Sequence, residues 1–167
     1  TAYDGAVLDI QNIFGAFRPD ARRRVLLYAH WDTRPYADRD SVRIKDPIDG
    51  ANDGASGVGV LLELARIMGD SLPNVGVDIA FFDAEDYGEP EWLPNRDQDY
   101  TDWCLGSQYW ARKVHVPGYR AKYGILLDMV GAKGAVFNRE GTSMETSPSV
   151  VDKVWSTAKK LGYGDLF

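Results

Sequence analysis

Val77-Asp78-Ile79-Ala80-Phe81-Phe82 runs directly into Asp83-Ala84-Glu85-Asp86. A short, nearly continuous apolar run rich in aromatic and branched residues predicts a strand buried on both faces. It ends in acids, and adjacent carboxylates at the end of a buried strand repel one another unless something positive lies beside them. Two more runs have the same form. Val25-Leu26-Leu27-Tyr28-Ala29 ends at His30, with Trp31 and Asp32 next, and Tyr123 to Leu127 ends at Asp128. Between and after them, apolar residues recur at helical spacing. Val58, Leu61, Leu62, Ala65 and Met68 predict a helix that stops near Gly69. Leu105 to Val114 predicts a second, and Val151, Val154, Trp155, Ala158 and Leu161 a last one. Strands alternating with helices give an α/β three-layer sandwich, its mixed, mostly parallel central sheet flanked by helices.

The remaining segments fit around that frame. Val7 to Ile10 predicts an early strand forming a hairpin with Val25 to Ala29, and Arg22 to Arg24 read as a solvated strand entry. Arg34 to Asn52 is polar, with Pro35, Pro47 and Gly50, and predicts a loop. Tyr87 to Trp103 predicts a long acidic loop carrying Trp92, of a length uncommon unless it is functional. Val136-Phe137 predicts a short strand. The 167 residues suit one domain, with 44% hydrophobic and 26% charged residues. A net charge of −6 argues against a nucleic-acid partner, and no apolar run is long enough to span a bilayer. Cys104 is the one cysteine, so no internal disulfide forms, and it reads as a buried structural thiol.

The chemistry lies in where the runs end. His30, Glu85-Asp86 and Asp128 each close a strand, and Asp53 sits in Asn52-Asp53-Gly54-Ala55-Ser56-Gly57, a glycine-rich turn before a helix. In open α/β sheets ligands bind beyond the carboxyl ends of strands, so these groups can converge on one pocket. Taken alone, each has a plainer reading. His30 could cap a strand in solvent, Asp53 could be a helix N-cap, Glu85-Asp86 could open a polar loop, and Asp128 is a single acid. Together they offer imidazole and carboxylate donors of the kind zinc accepts, with Asp32 placed to orient the imidazole from behind. A phosphate-binding loop at Asp53 is excluded, because the lysine step is missing and the carboxylate would repel phosphate.

These motifs, in this order, resemble the zinc aminopeptidase-like superfamily of the M28 type. The match includes His30-Trp31-Asp32, Asn52 to Gly57, Asp83 to Asp86 and Leu127-Asp128-Met129. Cys104 to Ala111 and Leu126 to Gly131 bring the chain nearest to the bacterial zinc-dependent glutaminyl cyclases. The resemblance implies an enzyme that converts the N-terminal glutamine of peptides and proteins to pyroglutamate with release of ammonia. It implies one zinc held by Asp53 and Asp86, Glu85 as general acid and base, Asp128 in the proton network and Trp92 in the pocket wall. It also implies a cis bond between Asp53 and Gly54, and a periplasmic or secreted protein, with a lipid anchor as one form of it.

The family's third zinc ligand is a histidine far toward the C-terminus, and no such residue occurs before Phe167. The sequence therefore reads as a single catalytic domain lacking its C-terminal part, holding zinc weakly on two carboxylates. His115 matches no ligand motif and reads as a surface residue. Two other readings compete. In a two-zinc aminopeptidase, His30 and Asp128 would hold the second metal, Asp53 would bridge and Glu85 would activate water. In a non-catalytic peptide-binding remnant, Glu85 would have no duty.

Overall fold

A computed structural model describes residues 2–96 and 101–167, so residues 97–100 of the expected acidic loop lie outside the described residues. Two compact units are present, Thr1–Val130 and Gly131–Phe167. The first holds the sheet. Its strands are β1 (Ile13–Phe17), β2 (Arg24–His30), β3 (Gly76–Phe82) and β4 (Gly124–Leu126), in the order β1-β3-β2-β4. β2 pairs in parallel with both β3 and β4, and β1 runs antiparallel to β3. The sheet is mixed and flanked by helices α1 (Ala55–Asp70) and α2 (Leu105–Arg112), as the alternation of elements predicts.

Period-two alternation sorts the two faces of this sheet. Ala29 and Ile79 pack with Leu61 of α1, joined by Val58, Leu64, Ala65 and Met68 from the same helix. Leu26, Ala80 and Phe82 form the other face, under Phe14 of β1 and Trp110 of α2. β3 is therefore covered on both sides, which is why its sequence is nearly continuous rather than alternating.

Two expectations fail at the N-terminal side. The first strand is Ile13–Phe17 rather than Val7 to Ile10, and it pairs with β3 rather than forming a hairpin with β2. Val7 is 88% exposed, whereas Phe14 and Phe17 supply one aromatic ring to each face of the sheet. Arg24 is likewise no solvated entry. Its guanidinium forms a bidentate pair with Asp78 at 2.8 and 2.5 Å, both side chains almost fully enclosed, and the Tyr119 hydroxyl donates to the same carboxylate. Breaking a buried pair strands one charge, at a cost of about 3–5 kcal/mol. Asp78→Ala is expected to lower unfolding free energy by that amount in urea titration. A loss below about 1 kcal/mol, the scale of exposed pairs, would contradict it.

The second unit contains α3 (Gly141–Thr146) and α4 (Pro148–Lys160). Val136-Phe137 forms no strand. Phe137 instead packs its ring on Phe167, accepts from the Trp155 indole and donates its amide to the Leu166 carbonyl. Glu140 caps α3 by accepting from the Thr142 and Ser143 amides, which holds its carboxyl down at about 2. None of the described peptide bonds is cis, in contrast to the expectation at Asp53–Gly54; Gly54 turns the chain there at φ 84° instead.

Candidate metal centre

Parallel pairing brings the ends of β2, β3 and β4 to one edge of the sheet, with His30 aligned beside Phe82 and Tyr28 beside Leu126. His30 is the hub, and it is 1% exposed. Its Nε2 lies 3.0 Å from Asp53 and 3.4 Å from Asp128, and its Nδ1 lies 3.5 Å from Asp32 and 3.9 Å from Asp86. The expected residues Asp53, Asp86 and Asp128 thus surround one ring, with Glu85 close enough for its charge to act on that ring.

Each carboxylate is held by its own local device. Asp53 precedes the first turn of α1, where the helix dipole favours negative charge. Gly54 is required there, since a Cβ would lie 2.6 Å from the Asp32 carbonyl and 3.2 Å from the His30 ring. Gly57 is required too, because a Cβ would meet the Leu127 carbonyl at 2.1 Å. That close approach sets α1 directly on the end of β4. The Ser56 hydroxyl completes the join by donating to the Asn52 carbonyl at 2.5 Å and accepting from the Val130 amide at 3.0 Å. Asp53 and Asp128 are fixed together by this one contact.

The turn carrying Glu85 and Asp86 is fastened from three sides. Asp32 accepts from the amides of Glu85 and Asp86 at 3.0 and 2.9 Å, so it positions this turn as well as facing His30. The amides of Cys104, Leu105 and Gly106, which lack partners inside α2, donate to the carbonyls of Glu85, Ala84 and Asp83. Asn12 clamps the same junction, accepting from the Asp83 amide and donating to the Gly106 carbonyl. Ala84, before Glu85, and Met129, after Asp128, are both left-handed at φ 51°. Strain of this kind costs about 1–3 kcal/mol for each such residue and gathers at functional sites.

The charges of the cluster are not balanced internally. Burial drives the Glu85 carboxyl up to about 7, and the nearby charges of Asp128, Asp86 and Asp32 add to this against the opposing pull of His30. Asp86 rises to about 6 through burial and the charge of Asp53. Burial works against a charged His30, but the close carboxylates of Asp128 and Asp32 and the charges of Glu85 and Asp86 outweigh it and lift the ring to about 11. Both His30 ring nitrogens and Asp86 Oδ2 are buried without a well-formed hydrogen bond. His30, Asp53 and Asp128 also place three donor atoms within 4.8 Å of one another. Unpartnered imidazole nitrogen and carboxylate oxygen at such spacing are the donors zinc takes. The residues fit that metal.

These raised proton affinities fix a pH dependence. Glu85 and Asp86 keep their protons to higher pH in the fold than when unfolded, so their contribution is full below about pH 4 and fades as pH rises to about 7. His30, also raised, holds its contribution below about pH 6.5 and loses it toward 11. Metal-free protein is therefore expected to melt at a higher temperature at pH 4.5 than at pH 7.5. A tenfold change in proton affinity is worth about 1.4 kcal/mol, so the difference amounts to at most a few kcal/mol. Zinc should abolish the decline, and equal melting of the metal-free protein at both pH values would contradict the assignment.

Trp92 packs edge-on against Tyr36 at 5.1 Å. Cys104 is half-buried, and burial with the charge of Glu85 pushes its thiol up to about 12, which suits a structural residue and not a nucleophile. His115 is exposed and outside the cluster, its ring stacked on Phe14 at 4.2 Å.

The sequence profile of peptidase family M28 matches residues 12–165. This chain is a member of that family. Its M28 fold superposes on a Zn-dependent exopeptidase from Parabacteroides distasonis with TM-score 0.95 and 54% identity, covering 100% of this chain and 57% of the other. A glutaminyl cyclase from Bacteroides thetaiotaomicron bound to N-acetylhistamine gives TM-score 0.96 and 53% identity, covering 99% of this chain and 57% of the other. The glutaminyl-peptide cyclotransferase of Bos taurus is 31% identical over 149 residues, 75% of this chain and 38% of the bovine protein. The M28 chain thus spans little more than half the length of the matched structures. None of its described helices is long and apolar enough to cross a membrane.

Proposed function

We propose that this M28 chain carries the site of a zinc-dependent glutaminyl cyclase, which converts N-terminal glutamine of peptides and proteins to pyroglutamate and ammonia. One observation carries the reading: a half-buried carboxyl, Glu85, drawn up to about 7 among Asp86, Asp128 and a His30 ring whose nitrogens make no well-formed hydrogen bond. Asp53 and Asp86 are the ligands this chain offers to the metal. Zinc bound there supplies polarisation of the side-chain amide carbonyl.

Glu85 handles the proton. As the α-amine nitrogen forms its bond to the amide carbon, Glu85 takes a proton from that nitrogen. It then delivers the proton to the departing amide nitrogen as the carbon–nitrogen bond breaks, releasing ammonia. A group that titrates near the working pH can serve both halves. Asp128 raises the proton affinity of Glu85 through its charge and lies 3.4 Å from His30 Nε2. Trp92, resting on Tyr36, walls the pocket. Export to a periplasm or beyond belongs to the same proposal and is supported by the family resemblance.

A second reading has its own support. His30, Asp53 and Asp128 form the compact three-donor set, the arrangement that a second metal of an aminopeptidase would use with Glu85 activating water. Mass spectrometry of a peptide beginning with glutamine separates the two. Cyclisation removes one ammonia and leaves the chain length intact, whereas peptidase action removes the first residue.

A further inference from the structure

Arg34 follows the His30-Trp31-Asp32 motif inside what the sequence presents as a polar loop, yet it is 7% exposed. Its Nη1 donates to the carbonyls of Asp86 and Gly88 at 2.6 and 2.8 Å, and its Nη2 donates to the Glu89 carbonyl at 3.2 Å. The guanidinium also lies 4.4 Å over the Trp103 ring, against which Gly88 packs with no room for a Cβ. Asp38 takes the rest of the fork, Nε on Oδ1 at 3.3 Å and Nη2 on Oδ2 at 2.5 Å. The same Asp38 Oδ2 accepts the Glu91 amide at 3.0 Å, directly before Trp92.

We infer that Arg34 is a positioning residue that joins the metal-ligand turn to the pocket wall, holding Asp86 by its backbone and, through Asp38, holding the segment that bears Trp92. The inference rests on the roles given to Asp86 and Trp92 above. Two buried charges are costly to enclose, and a simple loop staple does not need them. What the pair supplies is geometry: a planar fork of five donors spans three carbonyls and a carboxylate at fixed angles, which the single ammonium of lysine does not reproduce. One rigid contact therefore sets two parts of the site. Arg34 should govern metal affinity, and the Asp38 branch should govern substrate affinity.

The test compares R34K, R34A and D38N in the full chain. Zinc affinity is read by competition with a chelating dye, and cyclisation of a glutaminyl peptide is read as separate kcat and KM. Loss of a group that orients a ligand costs about 10–100-fold in metal affinity, so R34K and R34A should both weaken zinc by that range. Added guanidinium ion should restore zinc affinity to R34A and leave R34K unchanged. D38N offers one oxygen where two are used and loosens the fork that holds Arg34, so it should raise KM several-fold and weaken zinc less than the Arg34 variants do. Unaltered zinc affinity in both Arg34 variants, or an unaltered KM in D38N, overturns the inference. Should R34A fail to fold, R34K and D38N decide. If the unaltered protein makes no pyroglutamate, the zinc measurements decide Arg34 by themselves.

Discussion

Glu85→Gln is expected to lower kcat for cyclisation by about 100- to 10,000-fold, the usual worth of a positioned acid–base group. Glutamine keeps the size and one oxygen but neither takes nor returns the proton. Zinc affinity should change little compared with the loss in kcat, because the side chain removed belongs to no proposed ligand. The metal-free variant should also be more stable near neutral pH, since the strongly displaced carboxyl is gone. Stopped assays by mass spectrometry and chelator competition check both halves. Loss of zinc together with activity would make Glu85 a ligand and not a proton carrier.

Asp53→Asn should have the largest effect on metal. Asp53 is common to the single-zinc and two-zinc readings, and its oxygen lies 3.0 Å from His30 Nε2. Losing even a supporting partner costs about 10–100-fold in affinity, and loss of a ligand should exceed that. The effect on stability should run the other way. The charge of Asp53 is the second cause, after burial, of the raised Asp86 carboxyl, so removing it relieves repulsion there, which offsets the lost 3.0 Å contact with His30 in the metal-free protein. A zinc-free Asp53→Asn protein that melts at or above the temperature of the zinc-free parent agrees with this account. A variant that melts lower yet binds zinc normally contradicts it.

Much of this site is legible in the sequence for a simple reason. β2, β3 and β4 are parallel, so the residues that end their apolar runs must arrive at the same edge. That places His30, Glu85-Asp86 and Asp128 together on the pattern of residues alone. The glycines around Asp53 are legible for a similar reason, since only close backbone contact demands them. What stays hidden depends on tertiary partners. β1 could not be located because its pairing with β3 is antiparallel and long-range, and Ile13–Phe17 carries no polar–apolar alternation to mark it. The central place of His30, which the cyclase reading leaves without a role, emerges only from distances to four carboxylates. Arg34 and Asp38 sit in a loop with no periodicity, and an arginine there looks solvated until its three carbonyl partners are seen.

Anomalous scattering at the zinc absorption edge, from crystals grown with zinc, tests the claim that these strand ends form one metal centre. The account predicts a single strong peak bounded by Asp53 and Asp86, with the Glu85 carboxyl beside it and outside bonding distance. A pair of peaks shared through Asp53 would transfer the chain to the peptidase reading. A cluster without any peak, in crystals that bind zinc elsewhere, would contradict the centre itself.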